Sequence, residues 1–175
     1  MSDDNKNASK YVITHLEKTH NKDQFDCGID ALNNYLKIQA SQDMRKSVAV
    51  SYVMTTDGSN RVLGYYTLSS IGIMAGELPE EVIIKLPRYP VLPGILIGRL
   101  GREVEFRGKE IGQYLLIDAL KRSLNISTQL GSVAVIVDAK NEKAATFYRK
   151  YGFIEFPDNN RRLFLSMGTI KKLDL

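Results

Sequence analysis

Residues 94–125 read GILIGRLGREVEFRGKEIGQYLLIDALKRSLN, and the change of pattern inside this stretch decides the fold. Its first part, Gly94–Val104, opens on apolar and β-branched residues and predicts a mainly buried strand. Its last part, Glu110–Asn125, sets Ile111, Leu115 and Ala119 four residues apart, with Leu116, Leu120 and Leu124 alongside. That stripe predicts an amphipathic helix. Between them lies Arg107-Gly108-Lys109-Glu110-Ile111-Gly112, a short basic turn with two glycines.

Working outward, Gly131–Val137 predicts another buried strand. Asn141–Tyr151 predicts a second amphipathic helix, closed by Gly152 as C-cap. Phe153–Phe156 and Arg161–Met167 form a final strand pair around an Asp158-Asn159-Asn160 turn. On the N-terminal side, Leu32, Leu36 and Ala40 mark a helix over Asp30–Ala40. Val48–Met54 and Val62–Ile71 read as a hairpin about Thr55-Thr56-Asp57-Gly58. Glu77–Leu86 carries a short helical signal starting near Pro79, and Pro87, Pro90 and Pro93 mark an irregular loop. The resulting class is α/β, a mixed sheet with crossover helices and antiparallel additions. Residues 1–10 are read as a disordered tail and residues 11–175 as a single domain.

Composition narrows the function. The chain has 175 residues, 43% hydrophobic and 25% charged, so disordered and fibrous classes are excluded. A single cysteine, Cys27, excludes a disulfide framework and a cysteine metal cluster. His15 and His20 are the only histidines, both in polar N-terminal sequence, which argues against a histidine triad or a metal site. The apolar runs at Val91–Gly98 and Val133–Val137 are too short to span a bilayer, and no apolar leader opens the chain. A soluble, cytoplasmic protein is expected. The formal charge is +4. The stretch Lys85–Lys109 holds six basic residues (Lys85, Arg88, Arg99, Arg102, Arg107, Lys109) against Glu103 and Glu105, a balance that equals the whole. Basicity is concentrated there, as an anionic partner requires.

The turn at Arg107–Gly112 follows a strand and opens a helix, where backbone N–H groups and the helix dipole hold phosphate. A tight turn with a solvated Arg and Lys fits it equally. Ala144, Phe147, Tyr148 and Tyr151 recur at helical spacing, which by itself reads as core. A tyrosine hydroxyl on that face also needs a partner and serves as an acid. Cys27 reads as a packed small residue, Asp138 as a cap for the next turn, and Asp118, Lys121 and Arg122 as a solvated helix face. Tyr65 and Tyr66 are adjacent on a strand and point to opposite faces, so only one lines a cleft. Arg102 is a candidate partner for Glu103 or Glu110.

Together the two stretches resemble motifs A and B of the GCN5-related N-acetyltransferase (GNAT) family. The first family motif runs Gln or Arg, two free positions, Gly, one free position, Gly or Ala. Arg107 and Gly112 match it, and Glu110 stands where the middle glycine belongs. Asn141, Ala144, Phe147, Tyr148, Gly152 and Phe153 match the second. Phe25-Asp26-Cys27-Gly28, Leu32-Asn33, Tyr35-Leu36 and Gly64-Tyr65-Tyr66-Thr67-Leu68 further resemble the acetyltransferase toxins of bacterial toxin–antitoxin systems. So do Leu86-Pro87-Arg88-Tyr89-Pro90, Gly98-Arg99-Leu100 and Val137-Asp138-Ala139-Lys140. The resemblance covers Phe25 to Met167.

It implies a mostly antiparallel GNAT sheet flanked by helices, and acetyl transfer from acetyl-CoA to the amine of aminoacyl-tRNA, which blocks translation. It also implies a ribbon–helix–helix antitoxin and a homodimer. The pantetheine arm is expected along the strand edge at Leu100-Gly101-Arg102, and the pyrophosphate on Arg107, Gly108, Lys109, Glu110, Ile111 and Gly112. Asn141 is a further cofactor contact, Arg88 and Arg99 contact tRNA, and Tyr148 is the general acid. The acceptor α-amine, with an ordinary pKa of ~7.7–8.0, is partly neutral without a base. Two other readings stay open: a GNAT enzyme for another amine, and a non-catalytic binding module. The basic Lys85–Lys109 stretch disfavours a polyamine acceptor. Glu110 and Arg102, where the toxins carry other residues, keep the binding module in view.

Overall fold

A parallel strand pair cannot be closed by a tight turn; it needs a crossover. The computed structural model, which describes residues 11–106, 108 and 110–175, has that arrangement at its centre. Strand β4 (Val91–Arg102) leads through helix α4 (Ile111–Ser127) to β5 (Ala134–Asp138), and β4 and β5 pair in parallel from Ile95↔Val135 to Ile97↔Val137. With β1 (Tyr11–His15), β2 (Val50–Thr56), β3 (Gly64–Met74), β6 (Ile154–Phe156) and β7 (Asn159–Ser166), they form one seven-stranded sheet ordered β1-β2-β3-β4-β5-β7-β6. The pairs β1–β2, β5–β7 and β6–β7 are antiparallel, so the expected α/β, mostly antiparallel GNAT-like sheet is present. Residues 1–10, Arg107 and Lys109 lie outside the described residues.

The contacts divide the chain into two units, Met1–Tyr66 with Leu100–Leu115, and Thr67–Arg99 with Leu116–Leu175. In the first, the predicted helix over Asp30–Ala40 is composite and longer. It comprises α1 (Asp30–Asn34), a π-helical turn at Tyr35–Gln39 and α2 (Ala40–Arg45). Its stripe buries Leu32, Tyr35, Leu36 and Ala40, and the last three join Leu16, Phe25, Val53, Val62 and Tyr65 in one core. The Tyr35 hydroxyl donates to Asp43 (2.8 Å) and that of Tyr65 to the Leu32 carbonyl (2.7 Å). Both Tyr65 and Tyr66 are fully buried, the second stacked on Tyr52 at 5.0 Å, so neither lines a cleft as expected of one of them.

In the second unit the core gathers Ile73, Leu78, Leu92, Ala134, Ile136, Phe156 and Phe164. The predicted irregular loop ends early: β4 starts at Val91 and contains Pro93, whose carbonyl accepts the Val133 N–H (2.9 Å). Proline supplies an acceptor without a donor, so it is tolerated in a strand where only its carbonyl is used. Helix α3 (Glu80–Ile83) follows Pro79 as predicted. The last hairpin turns at residues 157–158, one residue ahead of the predicted turn, because Asn159 already pairs with Phe156. An unpredicted helix, α6 (Met167–Lys172), is capped by Ser166, whose hydroxyl accepts the Thr169 N–H (3.1 Å), and buries Met167 and Ile170. No helix among the described residues is long and apolar enough to cross a membrane.

Candidate active site

Helix α4 begins where the sequence places a phosphate cradle. A 3-10 turn at Val104–Phe106 leaves β4, Gly108 has φ +81°, and Glu110 has φ +58°. Both angles lie in the left-handed region, free for glycine and costly for glutamate. A side chain at Gly108 would meet no atom within 4 Å, so its backbone faces open space. The Glu110 carbonyl accepts the Tyr114 N–H (3.1 Å), which makes it the residue that opens the helix. Ile111, Leu115, Leu116 and Ala119 are wholly buried and fix α4 in place. Gly64 permits the closest approach. A Cβ there would lie 2.7 Å from Leu115 Cδ1, 3.1 Å from the Gly101 carbonyl oxygen and 3.2 Å from Ile111 Cγ2.

Beyond its pairing with β5, β4 continues five residues to Arg102, carrying Leu100, Gly101 and Arg102. Neither expected partner of Arg102 engages it. The Glu103 carboxylate is 2% exposed and accepts the Asp26 N–H (3.0 Å), and Arg102 Nη1 is buried without a hydrogen-bond partner. A buried donor left unmade costs about 1–3 kcal/mol, so this atom awaits an acceptor. Of the proposed RNA contacts, Arg88 is exposed and Arg99 half-buried.

Tyr148 lies on α5 (Glu142–Lys150), a helix positioned by three devices. Asn141 Oδ1 caps it by accepting the Ala144 N–H (2.9 Å), the donor a helix start leaves unpaired. Arg149 clamps its outer face to Glu142 and to Glu155 (2.6 Å), and Gly152, at φ +91°, ends it. The Tyr148 ring packs between Phe147 (5.3 Å) and Phe153 (5.4 Å) and is 7% exposed. Burial pushes its phenol well above the ordinary range, so the hydroxyl holds its proton throughout neutral and mildly alkaline conditions.

Three other residues, Asp138, Asp118 and Arg122, differ from their expected roles. Asp138 caps no turn; it accepts two hydrogen bonds from Arg162 (2.8 and 3.0 Å). Asp118 and Arg122 pair at 2.8 Å on one face of α4, part-buried, where a solvated face was expected. Asn141, expected on the cofactor, stands at the start of α5 and caps it through its side-chain oxygen. Cys27 is half-buried as expected, and burial raises its thiol pKa. Sequence reasoning missed the network around it. Asp26 Oδ1 accepts from the Gly28 N–H (2.8 Å) and Asn33 Nδ2 (2.9 Å), while Asn33 Oδ1 accepts the Cys27 N–H (2.9 Å). An Asp-x-Gly turn with an amide seven residues on was the available signal.

No protein-family model matches the chain. A probable toxin TacT of Sinorhizobium fredii is 32% identical over 97% of this chain and 98% of its own length. A tRNA-acetylating toxin of Mycobacterium tuberculosis is 30% identical over 85% of this chain and 87% of its own. Among solved structures, AtaT complexed with acetyl-methionyl-tRNAfMet superposes with a TM-score of 0.87 at 29% identity, covering 95% of this chain and all of that one. A tyrosine-to-phenylalanine variant of AtaT, bound to the C-terminus of the antitoxin AtaR and acetyl-CoA, gives 0.79 at 27%, covering 94% and 98%. Near-full-length identity at this level joins the open glycine turn, the buried tyrosine and the mixed sheet in one assignment: the chain belongs to the GNAT-type acetyltransferase toxins of toxin–antitoxin systems.

Proposed function

We propose that this protein transfers the acetyl group of acetyl-CoA to the α-amine of an aminoacyl-tRNA, and so blocks translation as the toxin of a toxin–antitoxin pair. The observation that carries the reading is the match of 85% of the chain to a tRNA-acetylating toxin, beside a near-full-length match to a probable toxin TacT. Acetyl-CoA supplies an activated acyl group. The residues present fit it: an open backbone turn at Gly108, an unpaired buried guanidinium N–H on Arg102, and a strand end with amide groups to offer. Leu100, Gly101 and Arg102 line the pantetheine, and Gly108, Glu110, Ile111 and Gly112 the pyrophosphate, with Arg107 and Lys109 assigned there from sequence alone. A backbone N–H at Leu100 or Gly101 donates to the thioester oxygen as charge gathers on it. Tyr148 holds the proton that the departing thiolate takes. Arg88 and Arg99 meet tRNA phosphates.

Asn141 serves this site through its helix, by fixing the start of α5. Residues 11–175 act as one domain, because β3, β4 and α4 each continue from one contact unit into the other. A homodimer, a ribbon–helix–helix antitoxin and a cytoplasmic location complete the reading; its substrate, charged tRNA, is a cytoplasmic molecule. The test is direct. Labelled acetyl-CoA and total aminoacyl-tRNA are incubated with the protein, and label should appear as N-acetylaminoacyl ester released by mild base. Label confined to protein or to small amines overturns the assignment of substrate.

A further inference from the structure

Strand alternation carries one arginine to a place where its charge has no partner. A Cβ on Gly101 would touch Cys27 and Cε1 of Tyr65, each at 3.5 Å, so Gly101 and Tyr65 look to the same face of the sheet. Arg102 follows Gly101 on β4 and Gly64 precedes Tyr65 on the neighbouring β3, so both look to the opposite face. That face is covered by α4: a Cβ on Gly64 would lie 3.2 Å from Ile111 Cγ2 and 2.7 Å from Leu115 Cδ1. The Arg102 side chain therefore leaves its strand beneath the start of α4. There Nη1 is buried with no hydrogen-bond partner. The carboxylates closest in sequence are engaged elsewhere: Glu103 accepts the Asp26 N–H (3.0 Å), and Glu105 pairs with Arg61 (2.7 Å). Glu110 is exposed. The first N–H groups of a helix also lack intrahelical acceptors, and they carry the positive end of its dipole. A buried cationic donor and an electropositive helix start thus share one place, and an anion with several oxygens satisfies both.

Resting on the reading that brings acetyl-CoA to this turn, we propose that the Arg102 guanidinium is a ligand of the cofactor's phosphate oxygens. The backbone of Arg102 belongs to the strand that lines the pantetheine, and its side chain serves the nucleotide half. Arg102 then determines a specificity: the protein recognises a phosphorylated thioester and not the thioester arm alone. Its charge also offsets that of Glu110 in the same turn. The sequence motif that marks the turn begins at Arg107, so the motif does not assign this role to Arg102, which stands earlier, on the strand.

Calorimetry with acetyl-CoA and with acetylpantetheine, the thioester arm without phosphates, tests the assignment. Arg102→Met removes the donors and keeps an unbranched side chain. It should weaken acetyl-CoA binding about ten- to a hundredfold, the worth of hydrogen bonds to a charged group, and leave acetylpantetheine binding unchanged. Arg102→Lys keeps the charge without the planar fork and should lose less. Melting of the ligand-free proteins separates binding from architecture. Removing a buried donor that has no partner should leave Tm equal or higher, whereas replacing a structural arginine lowers it. Equal losses for the two thioesters, no loss for either, or a lower ligand-free Tm in both variants overturns the proposal. So does loss of tRNA affinity with acetyl-CoA affinity kept, which would assign the guanidinium to RNA phosphate. Should Arg102→Met not fold, Arg102→Lys carries the same comparison. If the natural protein binds no acetyl-CoA, the cofactor reading has failed separately, and titration with inorganic pyrophosphate decides Arg102. Binding by the natural protein and not by the variant supports the phosphate contact; equal binding, or none, overturns it.

Discussion

Glu110→Gly tests the cradle at its most unusual residue. Glutamate there is held at φ +58°, a conformation that costs an L-residue about 1–2 kcal/mol. Glycine removes that cost and pays about 0.5–1 kcal/mol in backbone entropy. Removing the acidic side chain at a helix start forfeits a further ~0.3–1 kcal/mol of dipole interaction. The terms nearly cancel, so the variant should melt within about 4 °C of the natural protein. Binding responds differently. On the proposed placement, an exposed charge beside the pyrophosphate is worth no more than a surface pair, ~0–1 kcal/mol, so losing it should tighten acetyl-CoA binding less than about tenfold. Glu110→Gln separates the causes, because it removes the charge and keeps the strained backbone. Calorimetry on all three proteins, with thermal melts alongside, reads both quantities. If the natural protein binds nothing at millimolar acetyl-CoA while Glu110→Gly binds, the cradle is blocked and the chain is a degenerate acetyltransferase.

Tyr148→Phe should lower kcat about 10²–10⁴-fold with the acetyl-CoA dissociation constant nearly unchanged, and unchanged turnover would remove Tyr148 from the chemistry. Because the folded phenol titrates above the unfolded one, its stabilising contribution is complete below pH ~10 and declines as pH rises beyond that. The natural protein's denaturant midpoint should therefore fall relative to that of the Phe protein as pH rises above ~10, and parallel curves would contradict the burial effect. Arg88→Ala should reduce the slope of log K for tRNA against log salt by about one; an equal slope returns Arg88 to the solvent. Asn141→Ala should cost about 1 kcal/mol through the lost cap and lower Tm by about 2–4 °C, and an unchanged melt would show that the cap is idle.

The spine from β4 through α4 and β5 to α5 was legible because its signals are local. Ile111, Leu115 and Ala119 repeat at the helical period, and Gly152 ends α5 where a left-handed residue is needed. β1 was not legible. Five residues, Tyr11–His15, carry too little alternation to stand out, and they become a strand by pairing with β2 across forty residues of chain. α6 was hidden by Gly168 in its first turn, and the Ser166 cap and the burial of Met167 and Ile170 outweigh it. In the site, Tyr148 and the glycine turn were visible in motifs. The Asp26–Asn33–Glu103 network was not, since Glu103 stands 77 residues from the N–H it receives.

The crowding at Gly64 carries a consequence for how this protein tolerates change. With a Leu115 methyl and the Gly101 carbonyl both too near to admit a side chain, the junction of β3, β4 and α4 is set by hard contact at its base. Mutations in the turn above it, where Gly108 has open space around it and Glu110 is exposed, do not carry the helix with them. The base behaves as a locked hinge pin and the turn as an adjustable rim. Substitutions on that rim leave the architecture beneath where it was, so glutamate at position 110 is compatible with the fold.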